Sequence, residues 1–157
     1  MTDKGISSGS AANLLSLLML SSMTGRVVMG ALSDRIGRVK SIYICLGTNM
    51  LALIWLIFAD NIWMFSLFAV VYGFAYGGGV PQWAALTGDI FGLTAMGTIF
   101  GAVVFFVSLG GAIGPVLFGY VFDVTGSYSI AFLIAAVLIM IGLIILSFIK
   151  EQKRVPL

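Results

Sequence analysis

Charge is too scarce in this chain to cover a water-exposed surface. Of its 157 residues, 9% are Asp, Glu, Lys or Arg and 61% are hydrophobic, whereas an ordinary soluble domain carries about 25% charged residues. Apolar stretches of roughly 20 residues recur along the chain, the length at which a helix crosses a hydrocarbon core of about 30 Å. Inside that core water cannot satisfy the backbone, so each stretch must satisfy its own and be helical. The sequence therefore predicts an all-α, polytopic membrane protein with a single transmembrane domain over 1–157. Five spans are expected, at about 11–32, 41–59, 62–86, 95–120 and 128–149. The links 33–40, 60–61, 87–94 and 121–127 are short, which makes successive spans antiparallel neighbours and leaves no room for a second, soluble domain.

Several function classes drop out on composition. There is no His, and the lone Cys45 lies in an apolar run, so neither an internal disulfide nor a Cys/His metal set is expected, and no cofactor. The net charge of +2 comes from basic residues at span ends, not from an extended patch, so no nucleic-acid partner is expected. The acidic residues sit at loops with no evident partner, and no Ser/His/Asp constellation exists; an enzyme is not expected. Residues 1–10 are polar with only Lys4 as a base, unlike a cleavable signal.

Arg35, Arg38 and Lys40 lie between spans one and two, and Lys150, Lys153 and Arg154 follow span five. Five spans put both clusters on one side, which the positive-inside rule assigns to the cytoplasm. The N-terminus is then outside and the C-terminus inside the cytoplasmic membrane. Trp63, Tyr120 and Tyr128 fall at outer ends and Tyr43 at an inner end, as an aromatic belt requires.

Residues 25–37 and 114–126 share one skeleton, G-x4-G-x3-D-x2-G, with every matched position displaced by 89 (Gly25 to Gly114, Gly30 to Gly119, Asp34 to Asp123, Gly37 to Gly126). A fixed offset points to a duplicated unit. Span one maps onto span four and span two onto span five. Span three maps to a position before Met1, so the repeat predicts a further helix upstream. Each unit then has three helices, and matched spans cross in opposite directions, as inverted repeats of secondary transporters do. Arg26 is the residue at which the copies diverge in character: its counterpart is Pro115.

Arg26 precedes Asp34 by eight residues. At 1.5 Å per residue it lies roughly 12 Å below the cytoplasmic end, near the midplane. A charge there is costly and must face a cavity or a partner. A guanidinium stays ionised and presents a planar fork that fits a carboxylate. Two roles fit: gripping an anionic substrate, or pairing with a carboxylate on another helix or snorkelling to the interface. In span three, Gly77-Gly78-Gly79 followed by Pro81 predicts a kink or an unwound turn near the midplane. Tyr76, Gln82 and Trp83 beside it are candidate cavity-lining residues, with plain helix packing as the alternative. Gly114 and Pro115 sit in a small-residue face with Gly97, Gly101, Gly110 and Gly111, suited to helix packing. In the first link, Asp34 can hold a neighbouring helix N-terminus or pair with Arg35 or Arg38.

The segment Gly30-Ala-Leu-Ser-Asp34-Arg35-Ile-Gly37-Arg38 resembles the G-x3-D-R-x-G-R loop of the major facilitator superfamily. Gly25-Arg26 before it, and Gly114-Pro115, Gly119, Asp123, Thr125–Tyr128 and Phe132 after it, resemble the monocarboxylate-porter and oxalate–formate branch. The resemblance covers nearly the whole chain. It implies that the five spans correspond to helices eight to twelve of a twelve-helix fold, an incomplete C-terminal six-helix half. It also implies a substrate held between two halves that rock to expose it alternately. In this branch an arginine of the eighth helix binds the substrate carboxylate, and Arg26 matches that position. The loop motif latches against a helix of the other half, which would place the partners of Asp34, Arg35 and Arg38 outside this chain. Where proton-coupled porters have an acidic residue one turn before the arginine, this chain has Ser22. Where oxalate–formate exchangers have a lysine in the eleventh helix, span four has no Lys or Arg. The resemblance thus implies a small organic anion, a single carboxylate rather than a dicarboxylate, and lipid and an N-terminal half as partners. The competing expectation is a non-transporting accessory protein or inactive fragment, which leaves Arg26 and the Gly/Pro signal unexplained.

Overall fold

The computed structural model describes residues 8–149. Lys4, Lys150, Lys153 and Arg154, which enter the orientation argument, lie outside the described residues. Four helices follow one another: α1 (Ser8–Ile36), α2 (Arg38–Ile57), α3 (Ile62–Thr125) and α4 (Ser129–Ser147). All four are long and apolar enough to cross a membrane.

The expected count of five spans is corrected in one respect. Spans three and four form one 64-residue helical element, because the link 87–94 is itself helical except at a single residue. That residue is Gly92, whose φ of 75° and ψ of 167° leave the helical region. Only glycine takes such angles without a steric penalty. The unwound turn expected at 77–81 is likewise corrected: the helix continues through Gly77–Pro81 and breaks at Gly92 instead. The reason is packing. Gly77 and Gly78 are held tightly against α1, as described below, and Gly79 lies against Cys45 of α2, so the chain keeps helical dihedrals despite the donor that Pro81 lacks.

The other links are also tighter than expected. Between α1 and α2 only Gly37 leaves the helix, at φ 94°; between α3 and α4, Gly126 ends α3 at φ 67°. These two glycines are the last matched position of the repeat, so the motif records a shared need for positive φ, with ψ of 152° at Gly37 and 9° at Gly126. Asn61 starts α3 by accepting a hydrogen bond from the Met64 amide on its side chain, at 3.0 Å, which satisfies one donor of the first turn.

Contacts fix the directions. Leu18, Ser22 and Met29 of α1 meet Gly73, Gly77 and Gly78 of α3 in rising order, so α1 and the first part of α3 run parallel. Two clusters tie α2 to α3 and α4 in the opposite sense. Leu53 and Leu56 pack with Phe65, Phe68 and Phe132 at one end; Val39 and Ile42 pack with Leu86 and Leu146 at the other. The Tyr43 hydroxyl donates to the Leu143 carbonyl at 3.1 Å, fastening α2 to α4. Ring contacts of Phe118 with Phe132, and of Phe122 with Tyr128, bring the far end of α3 to the Phe65 end of the bundle. The stretch after Gly92 therefore returns along the full height of the bundle. Almost all of 101–120 is exposed on the way.

Candidate functional site

The α1–α3 seam sets the geometry around Arg26. Ser21 donates its hydroxyl to the Val70 carbonyl at 2.6 Å. A side chain on Gly25 would strike the main chain of Phe74, and one on Gly73 or Gly77 would strike the main chain of Leu18 or Ser22. The two backbones are in direct contact, the close approach that small residues allow between membrane helices. At the lower end of the seam, Gln82 Nε2 donates to the Met29 carbonyl at 3.0 Å. Gln82 is 1% exposed, and its Oε1 has no hydrogen-bond partner among the described residues. An unsatisfied buried acceptor costs about 1–3 kcal/mol.

The four expected lining residues separate on this frame. Arg26 is exposed beside the seam, one residue after Gly25, and Tyr76 is exposed, one residue before Gly77. Gly25 faces Phe74 and lies near Gly78, so Arg26 and Tyr76 stand at the same level of the α1–α3 pair. Among the described residues no carboxylate pairs with Arg26. Gln82 is a buried tie between the helices and does not face open space. Trp83 packs toward α2 and α4 with Leu86, Val39, Ile42 and Leu146, away from the seam. Tyr76 continues a stacked series with Tyr72 and Phe68, at ring separations of 6.1 and 5.0 Å. The groove between α2 and α3, of about 200 Å³, is lined by Leu51, Ala52, Trp55, Leu67, Phe68 and Val71 and excludes Arg26. Ser22 packs against Gly77, so the place one turn before Arg26 is used for helix contact. Gly114 and its neighbours Gly110 and Gly111 face open space.

The first link forms a charge cluster in which the Asp34–Arg38 pairing was one of the expected arrangements and the share of Asp89 was missed. Arg38 Nε donates to Asp89 Oδ2 at 2.9 Å, Nη1 to Ser33 Oγ at 3.2 Å and Nη2 to Asp34 Oδ1 at 3.3 Å. Arg38 thus has partners inside this chain: Asp34, a pairing the sequence allowed, and Asp89 from the link at 87–94, which corrects the expectation that the acidic residues are unpaired. Asp89 stands just before Gly92 in the other link at this end. The signal was present in the topology, since links one and three must share a side. The Arg38 side chain is 20% exposed and that of Asp89 43%, so the pair is screened and modest. A double-mutant cycle with Arg38→Gln and Asp89→Asn is expected to give a coupling of about 1 kcal/mol by thermal unfolding in detergent. Purely additive single effects would show that the pair contributes nothing.

A bundle of alternately directed helices, four of them long and apolar enough to cross a membrane among the described residues, defines a polytopic membrane protein. The Major Facilitator Superfamily model matches residues 1–156, and the chain belongs to that superfamily. It is similar to monocarboxylate transporter 12 of Rattus norvegicus, 28% identical over 96% of this chain and 32% of that protein. Monocarboxylate transporter 13 of Rattus norvegicus is 31% identical over 84% of this chain and 31% of its own length. An uncharacterized MFS-type transporter of Escherichia coli is 30% identical over 60% of this chain and 24% of its own. The chain spans about a third of the length of the curated relatives it covers most fully. Its membrane-spanning character and its monocarboxylate-porter likeness follow from these matches.

Proposed function

We propose that this chain is the C-terminal portion of a secondary transporter that moves small monocarboxylates across the cytoplasmic membrane by alternating access. The observation that carries the reading is Arg26, a cation near the midplane, exposed beside a rigid backbone seam with Tyr76 at its level. A guanidinium held this way offers two parallel donors to one carboxylate. The names of the relatives supply the substrate class. The element α3 is far longer than one crossing: its 64 residues would extend about 96 Å if straight. With the break at Gly92 it supplies two crossings, for five in all. The basic residues Arg35, Arg38 and Lys40 at one end favour the cytoplasm there, with the N-terminus outside. The remaining wall of the path comes from an N-terminal half, as a separate chain or as further sequence.

The test is competition. In vesicles holding the assembled transporter, uptake of radiolabelled lactate should be suppressed by excess acetate or pyruvate and little affected by oxalate. Stronger competition by oxalate than by the monocarboxylates would overturn the substrate reading, because one cation suits one carboxylate.

A further inference from the structure

Hydroxyls in these helices commonly donate to the carbonyl one turn back, as Ser16, Ser66, Thr87 and Ser108 do. Ser41 departs from that habit. It is fully buried, and its hydroxyl has no partner among the described residues. Its oxygen is therefore turned off its own helix and into the packing between helices. Gln82 brings a second such oxygen. Its Nε2 is fixed on the Met29 carbonyl of α1, and a carbonyl only accepts, so the amide cannot be reversed. That bond leaves Oε1 directed away from α1, buried and without a partner among the described residues.

Helix packing puts the two oxygens at one level. Cys45 of α2 lies against Gly79 of α3. Ser41 is one turn from Cys45 and Gln82 is three residues from Gly79, both toward the Leu86 end, because α2 and α3 run in opposite directions. Val39, Ile42, Leu86 and Leu146 close that end with apolar contact. Room is present at Gly79. A side-chain carbon there would meet only Cys45 Cβ, at 3.5 Å, whereas one on Gly78 would strike Met29. A buried space of about one methyl group thus adjoins two unpartnered oxygens, and a water molecule needs little more.

We propose that α1, α2 and α3 share one internal water molecule, held between Ser41 Oγ and Gln82 Oε1 beside Gly79. The water donates to Gln82 Oε1, which only accepts, and bonds to Ser41 Oγ, which can donate or accept. It extends the Gln82–Met29 hydrogen bond into a link running from α1 through α3 to α2. A metal cation is the weaker occupant, because two neutral oxygens do not replace its hydration shell. Asn49 Oδ1, a further unpartnered oxygen, lies eight residues along α2 from Ser41, about 12 Å, and is outside this site. Arg26 takes no part, so the site does not depend on the anion reading.

The experiment is X-ray footprinting of the assembled transporter in membranes, read by mass spectrometry. The pulse makes hydroxyl radicals wherever water stands, so an internal water marks neighbours that bulk solvent does not reach. Cys45 and Met29, at 2% and 3% exposure, should be oxidised. Ser41→Ala, and separately Gln82→Leu, should return both to background and leave Met140 unchanged. Melting gives a second readout that differs in sign. With the shared water, Ser41→Ala strands Gln82 Oε1 and lowers the melting temperature by about 2 °C. Without it, the same change removes an unsatisfied hydroxyl and raises the melting temperature. In a Gln82→Leu background Ser41→Ala should cause no loss. Background oxidation of Cys45 and Met29 in the parent overturns the proposal, as does oxidation that survives both variants or a higher melting temperature for Ser41→Ala. Oxidation that vanishes when sodium is replaced by choline overturns it in favour of a cation.

Discussion

Arg26→Ala is expected to reduce monocarboxylate uptake to background, with the protein still present in the membrane at its normal level. The residue is exposed beside the α1–α3 seam and takes no part in it: the packing is carried by Ser22, Gly25 and Met29 on the neighbouring face. Truncation therefore removes a charge without opening the helix pair. Removing one partner of a desolvated charge pair costs about 2–5 kcal/mol, a factor of roughly 30 to several thousand in affinity. Arg26→Lys keeps the charge and loses the planar fork, so it should raise KM by about tenfold, one charge-assisted hydrogen bond's worth, and retain measurable transport. Uptake by the assembled transporter, normalised to membrane content, is the measurement. Full uptake by Arg26→Ala at matched level would sink the anion-site reading and leave the pairing alternative. The seam gives a control: if the arginine were a structural partner, Arg26→Ala would lower the melting temperature along with uptake.

The membrane-crossing character was legible because charge scarcity and 20-residue apolar runs admit few other solutions. The repeat was legible too, and it recorded more than ancestry, since Gly37 and Gly126 both hold backbone angles that other residues resist. What the sequence reading misjudged was how local signals are settled by tertiary contact. Gly77–Gly79 and Pro81 carry every mark of a break, yet that stretch stays helical because α1 lies against it, and the break falls at Gly92, a glycine with no proline beside it. Gln82 and Trp83 are adjacent in sequence and point to different neighbours, α1 for the first and α2 with α4 for the second. No periodicity argument separates them without knowing which side of α3 each neighbour occupies. Asp89 was passed over as a loop carboxylate. Its value as the partner of Arg38 appears only when the two links on one side of the membrane are considered together.

Gly77→Leu is expected to prevent α1 and α3 from packing and to strip the folded chain from the membrane. The contact it would violate is main chain against main chain: the added carbon meets the Ser22 carbonyl. No rotamer change on either side can relieve it, so the helices must separate along the seam. Separation would also break the Ser21–Val70 and Gln82–Met29 hydrogen bonds, which span the same interface on either side of Gly77. Forcing even small groups into a packed interior costs about 1–3 kcal/mol. Four heavy atoms against a backbone should reach the top of that range, and 3 kcal/mol is roughly a hundredfold or more in the folded-to-unfolded ratio. Gly77→Ala tests the same contact more gently. Alanine gains up to about 1 kcal/mol of helix propensity, which offsets part of the clash. Gly47→Ala isolates that gain, because Gly47 is helical and has open space at its side-chain position. Thermal unfolding in detergent should therefore place Gly47→Ala at or above the parent, Gly77→Ala below it, and Gly77→Leu too unstable to purify folded. If Gly77→Ala melts with Gly47→Ala, the two helices do not approach as closely as Gly73, Gly77 and Gly25 imply, and the level shared by Arg26 and Tyr76 is lost with them.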